Sequence, residues 1–563
     1  MTRFVLAGVL ICATLVVSGQ GSSPSTSAKA TVDKQALKPS SPRLGAVVFP
    51  NSGSPSAQAD FLRGVAWLHS FGYEDAIDAF RAAQKIDPSF AMAYWGEAMS
   101  FSQPLWFFEE VDKGKAALGK LGATPAARLA KAKTPREQGF MRAAEALFGS
   151  GDTRARAFAY AQAMAKVAAE NPADDEAQAF HALALLATLP RGDASLPLRR
   201  QAGGIAEKVF ARNPNHPGAA HYILHAYDHV TLASRGIPAA RIYAKIAPAA
   251  SHALHMPAHA FLQAGFWDEA AAADEASWNA SIAWAKRRGL PVSSRDFHSL
   301  SWLQYEWTQQ GRFSKTKEAL SFIDQALKAS SPQAFKPLSP QHAGGHGDGE
   351  PSEIGRGSNE AALRNDRGSM RARYIIESER WQEMKGQTTF DNIEELFALG
   401  LSAVNLGDAV RAGSVIDEFR KAVAPPQSAA LREQADVMLR EMEALNLFAR
   451  GRHPEAFAMM DRAAALQARM PKPIGRPFPV KDVNELYGEL LLQVSRPKEA
   501  IAWFDRALAR TPNRSRALLG LARAYRNAGD AANARAAYRR FLTNYRLADP
   551  GLADVSEARD AVR

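Results

Sequence analysis

His221-Tyr222-Ile223-Leu224-His225 is followed, 34 residues on, by His255-Met256-Pro257-Ala258-His259, and that interval decides the fold. His229 extends the first set by four residues, and His252 precedes the second by three. Residues three or four apart share one face of a helix, so each set is read as a helix carrying an imidazole stripe. A 34-residue interval is the period of a helix-turn-helix unit that stacks into a solenoid. Histidine therefore recurs at the same two positions of consecutive repeats, which points to a built site.

Working outward, the same period returns at both ends of the chain. Ala500, Phe504, Ala507 and Pro512 match the second helix and closing proline of one unit, and Ala534, Tyr538 and Phe541 match the next. Gly529-Asp530 supplies the turn between helices. Near the other end Ala76, Phe80, Ala83 and Pro88 repeat the pattern, with Tyr94, Ala98 and Phe101 opening the following unit. Small residues recur because paired helices approach closely, while large apolar ones fill the space between them. The expected fold class is all-α: a tetratricopeptide-like solenoid of stacked helical hairpins with irregular insertions. Two stretches break the rhythm. Residues 104–135 are expected to be helical but off-period, and 329–370, rich in Ser, Pro, Gly and His, to be a loop, linker or flap.

The 563 residues exceed one compact core and suit a long array. A net charge of +11 is spread among interleaved acidic residues without an arginine-rich block, which argues against nucleic acid as partner. Arg3, an apolar run from 4 to 17 and Val17-Ser18-Gly19 read as a secretory signal over 1–19, with Ala28-Lys29-Ala30 as a second cleavage candidate. The single cysteine, Cys12, falls inside that signal, so the mature chain is expected to have no thiol and no transmembrane span. The expected order is signal 1–19, disordered leader 20–54, histidine-bearing array 55–328, loop 329–370 and plainer C-terminal array 371–563. Export, to a periplasmic or extracellular space, follows.

Taking Pro248 as a closing proline places His252, His255 and His259 at positions 2, 5 and 9 of a first helix. His221 and His225 then hold positions 5 and 9 one period earlier. His298 takes position 2 of the next unit, and Trp95 and Met99 hold positions 5 and 9 near the N-terminus. Three readings follow. In the first, His221, His225, His229, His252, His255, His259 and Asp228 bind a transition metal, with zinc, copper or iron suited to an all-imidazole set. Asp228 and Asp296 are candidate ligands or partners that orient a ring. In the second, the histidines, Tyr222 and Tyr305, in a groove that also includes Trp95, Met99 and His298, bind an anionic peptide terminus or phosphate. In the third, the histidines are satisfied interior groups, as is expected of His69 and His181. Trp106, Phe107 and Phe108 could wall a pocket or fill space. Gly344-Gly345-His346-Gly347-Asp348-Gly349-Glu350 follows no strand and is read as a loop.

Ala91-Met92-Ala93-Tyr94-Trp95-Gly96-Glu97-Ala98-Met99 stands beside two histidine phrases. One is His216-Pro217-Gly218-Ala219-Ala220-His221-Tyr222-Ile223-Leu224-His225-Ala226-Tyr227-Asp228; the other is His252-Ala253-Leu254-His255-Met256-Pro257-Ala258-His259. Together they resemble a family of exported bacterial tetratricopeptide-repeat proteins over roughly residues 55–310. The resemblance implies an α-solenoid with shared histidines and attaches no activity to it. Family members often carry a histidine where Gln103 stands before Pro104, so the resemblance implies that this chain binds metal less tightly or not at all. The expected function is a binding or scaffold protein with a protein or peptide partner in its groove. The alternative is a metal-dependent enzyme using the histidines, with Tyr222, Asp228, Asp296 or Glu306 as acid or base.

Overall fold

The computed structural model describes residues 42–106, 108–189, 195–329, 359–424, 429–472 and 474–563. The expected signal, most of the leader, Phe107, the stretch 344–350 and most of 329–370 lie outside the described residues. Arg43–Arg563 forms one compact unit. Among the described residues there are twenty-five α-helices and a single two-residue β-ladder, so the chain builds the all-α solenoid that its period predicts.

Consecutive helices pair as hairpins: Ser251–Ala264 with Trp267–Arg287, Phe297–Gln309 with Phe313–Ala329, and Ser515–Asn527 with Ala531–Asn544. Their turns place Gly265, Gly311 and Gly529 at positive φ. A left-handed residue there satisfies the last carbonyls of the first helix and reverses the chain, and glycine does so without a Cβ clash. At Gly265 close approach is a second reason: a Cβ would lie 2.4 Å from the Pro512 carbonyl oxygen. Between repeats, the second-helix Phe504 is clasped by Gly488 and Gly520, where a Cβ would meet its ring at 2.8 and 2.2 Å. Phe80 is held in the same way by Gly64 and Gly96. These are the small-against-large contacts that the repeat pattern calls for.

The first hairpin departs from this rule. Gln58–His69 and Tyr73–Ile86 are joined through Phe71, whose φ is 55° where the three hairpins above use glycine. A left-handed aromatic residue costs about 1–2 kcal/mol, and its ring is buried against histidines described below.

Three expectations are corrected. Residues 43–54 are not a loose leader. Leu44 and Phe49 are buried, the Ala46 N–H donates to the Asn215 carbonyl at 2.9 Å, and the Ser52 N–H donates to Glu137 at 2.7 Å. Two apolar anchors thus tie down a segment that composition makes look unstructured. Within 104–135, Val111–Leu121 and Pro125–Lys131 are helical as expected, but Phe108–Glu109 pairs antiparallel with Ser102–Gln103 around the Pro104–Trp106 turn. Proline pushes the residue before it out of helical backbone, and the ladder follows. Finally, Glu360–Ser378 is helix inside the expected loop. Asn359 caps it by accepting from the Ala362 N–H at 2.8 Å, and Leu363 and Met370 are buried.

The two arrays touch. The Trp267 indole N–H donates to the Asn513 carbonyl at 2.9 Å, and the Ser515 hydroxyl donates to the Gln309 carbonyl at 2.6 Å.

Candidate metal centre

Three first helices of consecutive hairpins carry the site. Pro217–Ala226 brings His221 and His225, Ser251–Ala264 brings His252, His255 and His259, and Phe297–Gln309 brings His298. The imidazoles sort into two triads, His221/His225/His252 and His255/His259/His298, and within each the candidate ligand atoms all lie within 4.8 Å of one another. The triads sit side by side, with rings 6.1 Å apart from His252 to His255 and 6.2 Å from His225 to His259. All are buried except His225 and His298, which are half-buried.

His255 Nδ1 lies 2.5 Å from the Asp274 carboxyl and His259 Nδ1 lies 2.6 Å from Asp228. The two Nε2 atoms face each other at 2.9 Å. Burial, followed by the neighbouring histidines, holds His255 well below its usual value, so the ring stays neutral and able to act as a ligand. Metal bonds of about 2.0–2.1 Å at tetrahedral angles space two nitrogens by roughly 3.3 Å, a few tenths of an ångström from this geometry.

In the other triad His221 Nδ1–H donates to the His69 carbonyl at 2.6 Å, so its Nε2 is bare. It lies 3.0 Å from His252 Nε2, and a tautomer of His252 can donate. His225 Nε2 is buried without a partner. Burial holds His221 down at about 3 and keeps His225, His252 and His298 well below the usual range.

Several expected residues are placed elsewhere. His229 joins neither triad, because the helix ends at Ala226 and the fourfold stripe ends with it; its Nδ1 accepts from the Thr231 N–H at 3.1 Å. Asp228 orients His259 and is in neither ligand set. Asp296 caps the His298 helix, accepting from the Ser299 N–H at 3.0 Å. Trp95 faces no groove: it is fully buried among Phe49, Phe140 and Phe180. Tyr222 is buried with its hydroxyl 2.9 Å from His69 Nδ1, and Tyr305 is buried beside Trp267. His298, expected in the groove, completes the second triad.

Asp274 and Phe71 were missed. Asp274 sits on the second helix of its hairpin, in an alanine-rich run whose only signal was an acid on an apolar face. Burial and then the Glu306 carboxyl push Asp274 well up, and burial pushes Glu306 up to about 8. The ring of Phe71 lies 4.3, 5.7 and 5.3 Å from His221, His225 and His252, and Trp106 lies 5.5 Å from His252. Trp302 covers the other triad, 4.3 Å from His259. Behind Phe71 is a cavity of about 30 Å³, lined by Leu68, Met99, Phe180 and others. The hydroxyls of Tyr73, Tyr160 and Ser102, on its wall, have no hydrogen-bond partner. Gln103 pairs with Phe108 and is in neither triad.

A third group, His69/Glu176/His216, is an interior network, as expected for His69. His69 Nε2–H donates to Glu176 at 2.6 Å, and His216 Nδ1 accepts from the Ala219 N–H at 3.1 Å.

Residues 441–515 and 486–549 match the tetratricopeptide repeat family model. No curated protein matches the chain. Among solved structures it is similar to the Cut9–Hcn1 hetero-tetramer of the APC/C, at 12% identity over 92% of this chain and 79% of that one, with a TM-score of 0.29. A Parabacteroides merdae tetratricopeptide repeat protein matches at 13% identity over 55% and 97%, with a TM-score of 0.27. A human IFIT1 dimer with m7Gppp-AAAA matches at 12% over 88% and 91%, with a TM-score of 0.32. The chain is thus an all-α solenoid whose residues 441–549 carry tetratricopeptide-type repeats.

Proposed function

We propose that this protein is an exported bacterial helical scaffold that holds two transition-metal ions side by side, one in each histidine triad. The observation that carries the reading is the pair of triads, His221/His225/His252 and His255/His259/His298, in each of which the candidate ligand atoms lie within 4.8 Å of one another, with a carboxyl beside Nδ1 of both His255 and His259. Hydrogen bonding from the far ring nitrogen to a carboxylate or carbonyl is the usual way a metal-ligating imidazole is oriented, and His221, His255 and His259 all have it. With no thiolate or carboxylate in either triad, copper is the ion favoured at all-nitrogen sites by the Irving–Williams order. The C-terminal repeats, which match the interaction-repeat model, serve to dock a protein partner.

A metal-dependent enzyme is the second reading. It is favoured by the ligand number, since three imidazoles per ion leave positions open for water or substrate. Elemental analysis of the full-length protein, purified without chelator or histidine tag, tests the proposal. About two equivalents of copper are expected, and about one in His255→Ala/His259→Ala. Metal absent from the wild type, or equal in the variant, would overturn it. Zinc in place of copper would redirect the enzyme reading from redox to hydrolytic assays.

A further inference from the structure

Four guanidinium nitrogens near this centre are buried and unbonded: Nε and Nη1 of Arg373, and Nε and Nη1 of Arg476. Arg373, on the Glu360–Ser378 helix, is 3% exposed. Its Nη2 donates to the Pro477 carbonyl at 2.7 Å, which fastens it to the residue following Arg476. Its guanidinium also lies over the Tyr305 ring, 5.4 Å from the centroid. Arg476 comes from the proline-rich segment between the helices His453–Arg469 and Val483–Gln493, and it is half-buried. Leaving a buried charged donor unpaired costs several kcal/mol, so two such groups side by side call for an occupant.

None of the neighbouring carboxyls hydrogen-bonds these four nitrogens. Glu394 accepts from the Ser369 hydroxyl at 3.0 Å through one oxygen, and its other oxygen has no partner. Glu306 is fully buried beside Asp274 and is pushed up to about 8 by burial, and burial pushes Asp366 up to about 6 against the pull of Arg476. Burial also brings Arg373 down to about 10, against the opposing pull of Glu394, as expected of an under-compensated cation.

We propose that Arg373 and Arg476 form an oxyanion-binding site that takes the carboxylate or phosphate group of a small ligand. Planar guanidinium forks with free N–H groups suit two-oxygen anions. The Arg476 charge reaches His298, Asp274 and Glu306, so it lies on the side of the second triad. The ligand's anionic end would rest on the arginines and its remainder would extend toward the open positions of that triad; this last step, though not the anion site, rests on the metal reading. The substrate or ligand class is therefore a small organic anion, held by arginines of the C-terminal array on the side of the second triad.

The test is calorimetric titration of the full-length protein, metal-stripped and copper-loaded, with inorganic phosphate and separately with succinate. Saturable binding of at least one is expected, and which one binds tells phosphate from carboxylate recognition. Arg476→Gln should weaken it at least tenfold with metal content unchanged, and Arg476→Lys should weaken it less. His255→Ala/His259→Ala, stripped of metal, should still bind the anion. Should Arg476→Gln misfold, Arg476→Lys against the wild type gives the same comparison. Binding that is absent in the wild type, indifferent to Arg476, or lost only with the histidines would overturn the proposal. A protein that binds the anion through Arg476 yet holds no metal would sink the metal reading and leave this one standing.

Discussion

The two triads have the same ligand types and opposite second partners. His221/His225/His252 is steadied by one backbone carbonyl, from His69, and roofed by Phe71 and Trp106. His255/His259/His298 is steadied by two carboxyls, Asp274 and Asp228, and roofed by Trp302. A carbonyl fixes a tautomer; a carboxyl can also supply charge to offset a bound cation in a dry site. On the metal reading proposed above, the second triad is therefore expected to be the tighter site, and the first, beside the Phe71 cavity, the more adaptable.

The comparison breaks most sharply in the ligands themselves. His255→Ala/His259→Ala should abolish the tight site, at least a hundredfold in metal affinity by competition titration, while His221→Ala/His252→Ala leaves it intact. Equal losses in both variants would make the centre one undivided site.

Acid separates the triads in a different way. Buried neutral histidines bind fewer protons in the folded than in the unfolded chain, so stability falls as pH drops below about 6.5 toward the folded value. His221, held at about 3, should alone cost the metal-free protein about 3 kcal/mol at pH 4. Thermal melts between pH 7 and 4 should show that loss. In the loaded protein the first triad should release its ion at the higher pH.

Asp274→Asn keeps an oxygen beside His255 Nδ1 but removes the ionisable carboxyl that a bound cation would draw into its charged form, so affinity at the second triad should fall about 10–100-fold with the first unchanged. Spectroscopy of the copper-loaded variant would show which site altered. The smallest effect on metal binding is expected of Phe71→Gly. It relieves about 1–2 kcal/mol of backbone strain but removes a buried ring, which costs about 3–5 kcal/mol. The protein should lose about 2–3 kcal/mol in denaturant melts, with changed metal binding confined to the first triad.

Much of this was legible before folding. The 34-residue register and the helical spacing placed His221, His225, His252, His255 and His259 on first helices, and Gly529 marked a turn. His229 was misjudged because periodicity ran past the end of its helix at Ala226. Trp95 was misjudged because a groove position near the array's end is covered by Phe49, from a segment that looked like leader.

Period and residue type alone determined the solenoid and the imidazole faces, because helix geometry turns spacing into direction. The division into two triads, the entry of His298 and Asp274, the roof of Phe71 and the arrival of Arg476 from the other array were decided only by tertiary structure. Sequence spacing fixes the angle of a side chain about its own helix and carries no measure of the distance between helices. Which ring nitrogens meet, and which charges are left dry, depends on that distance.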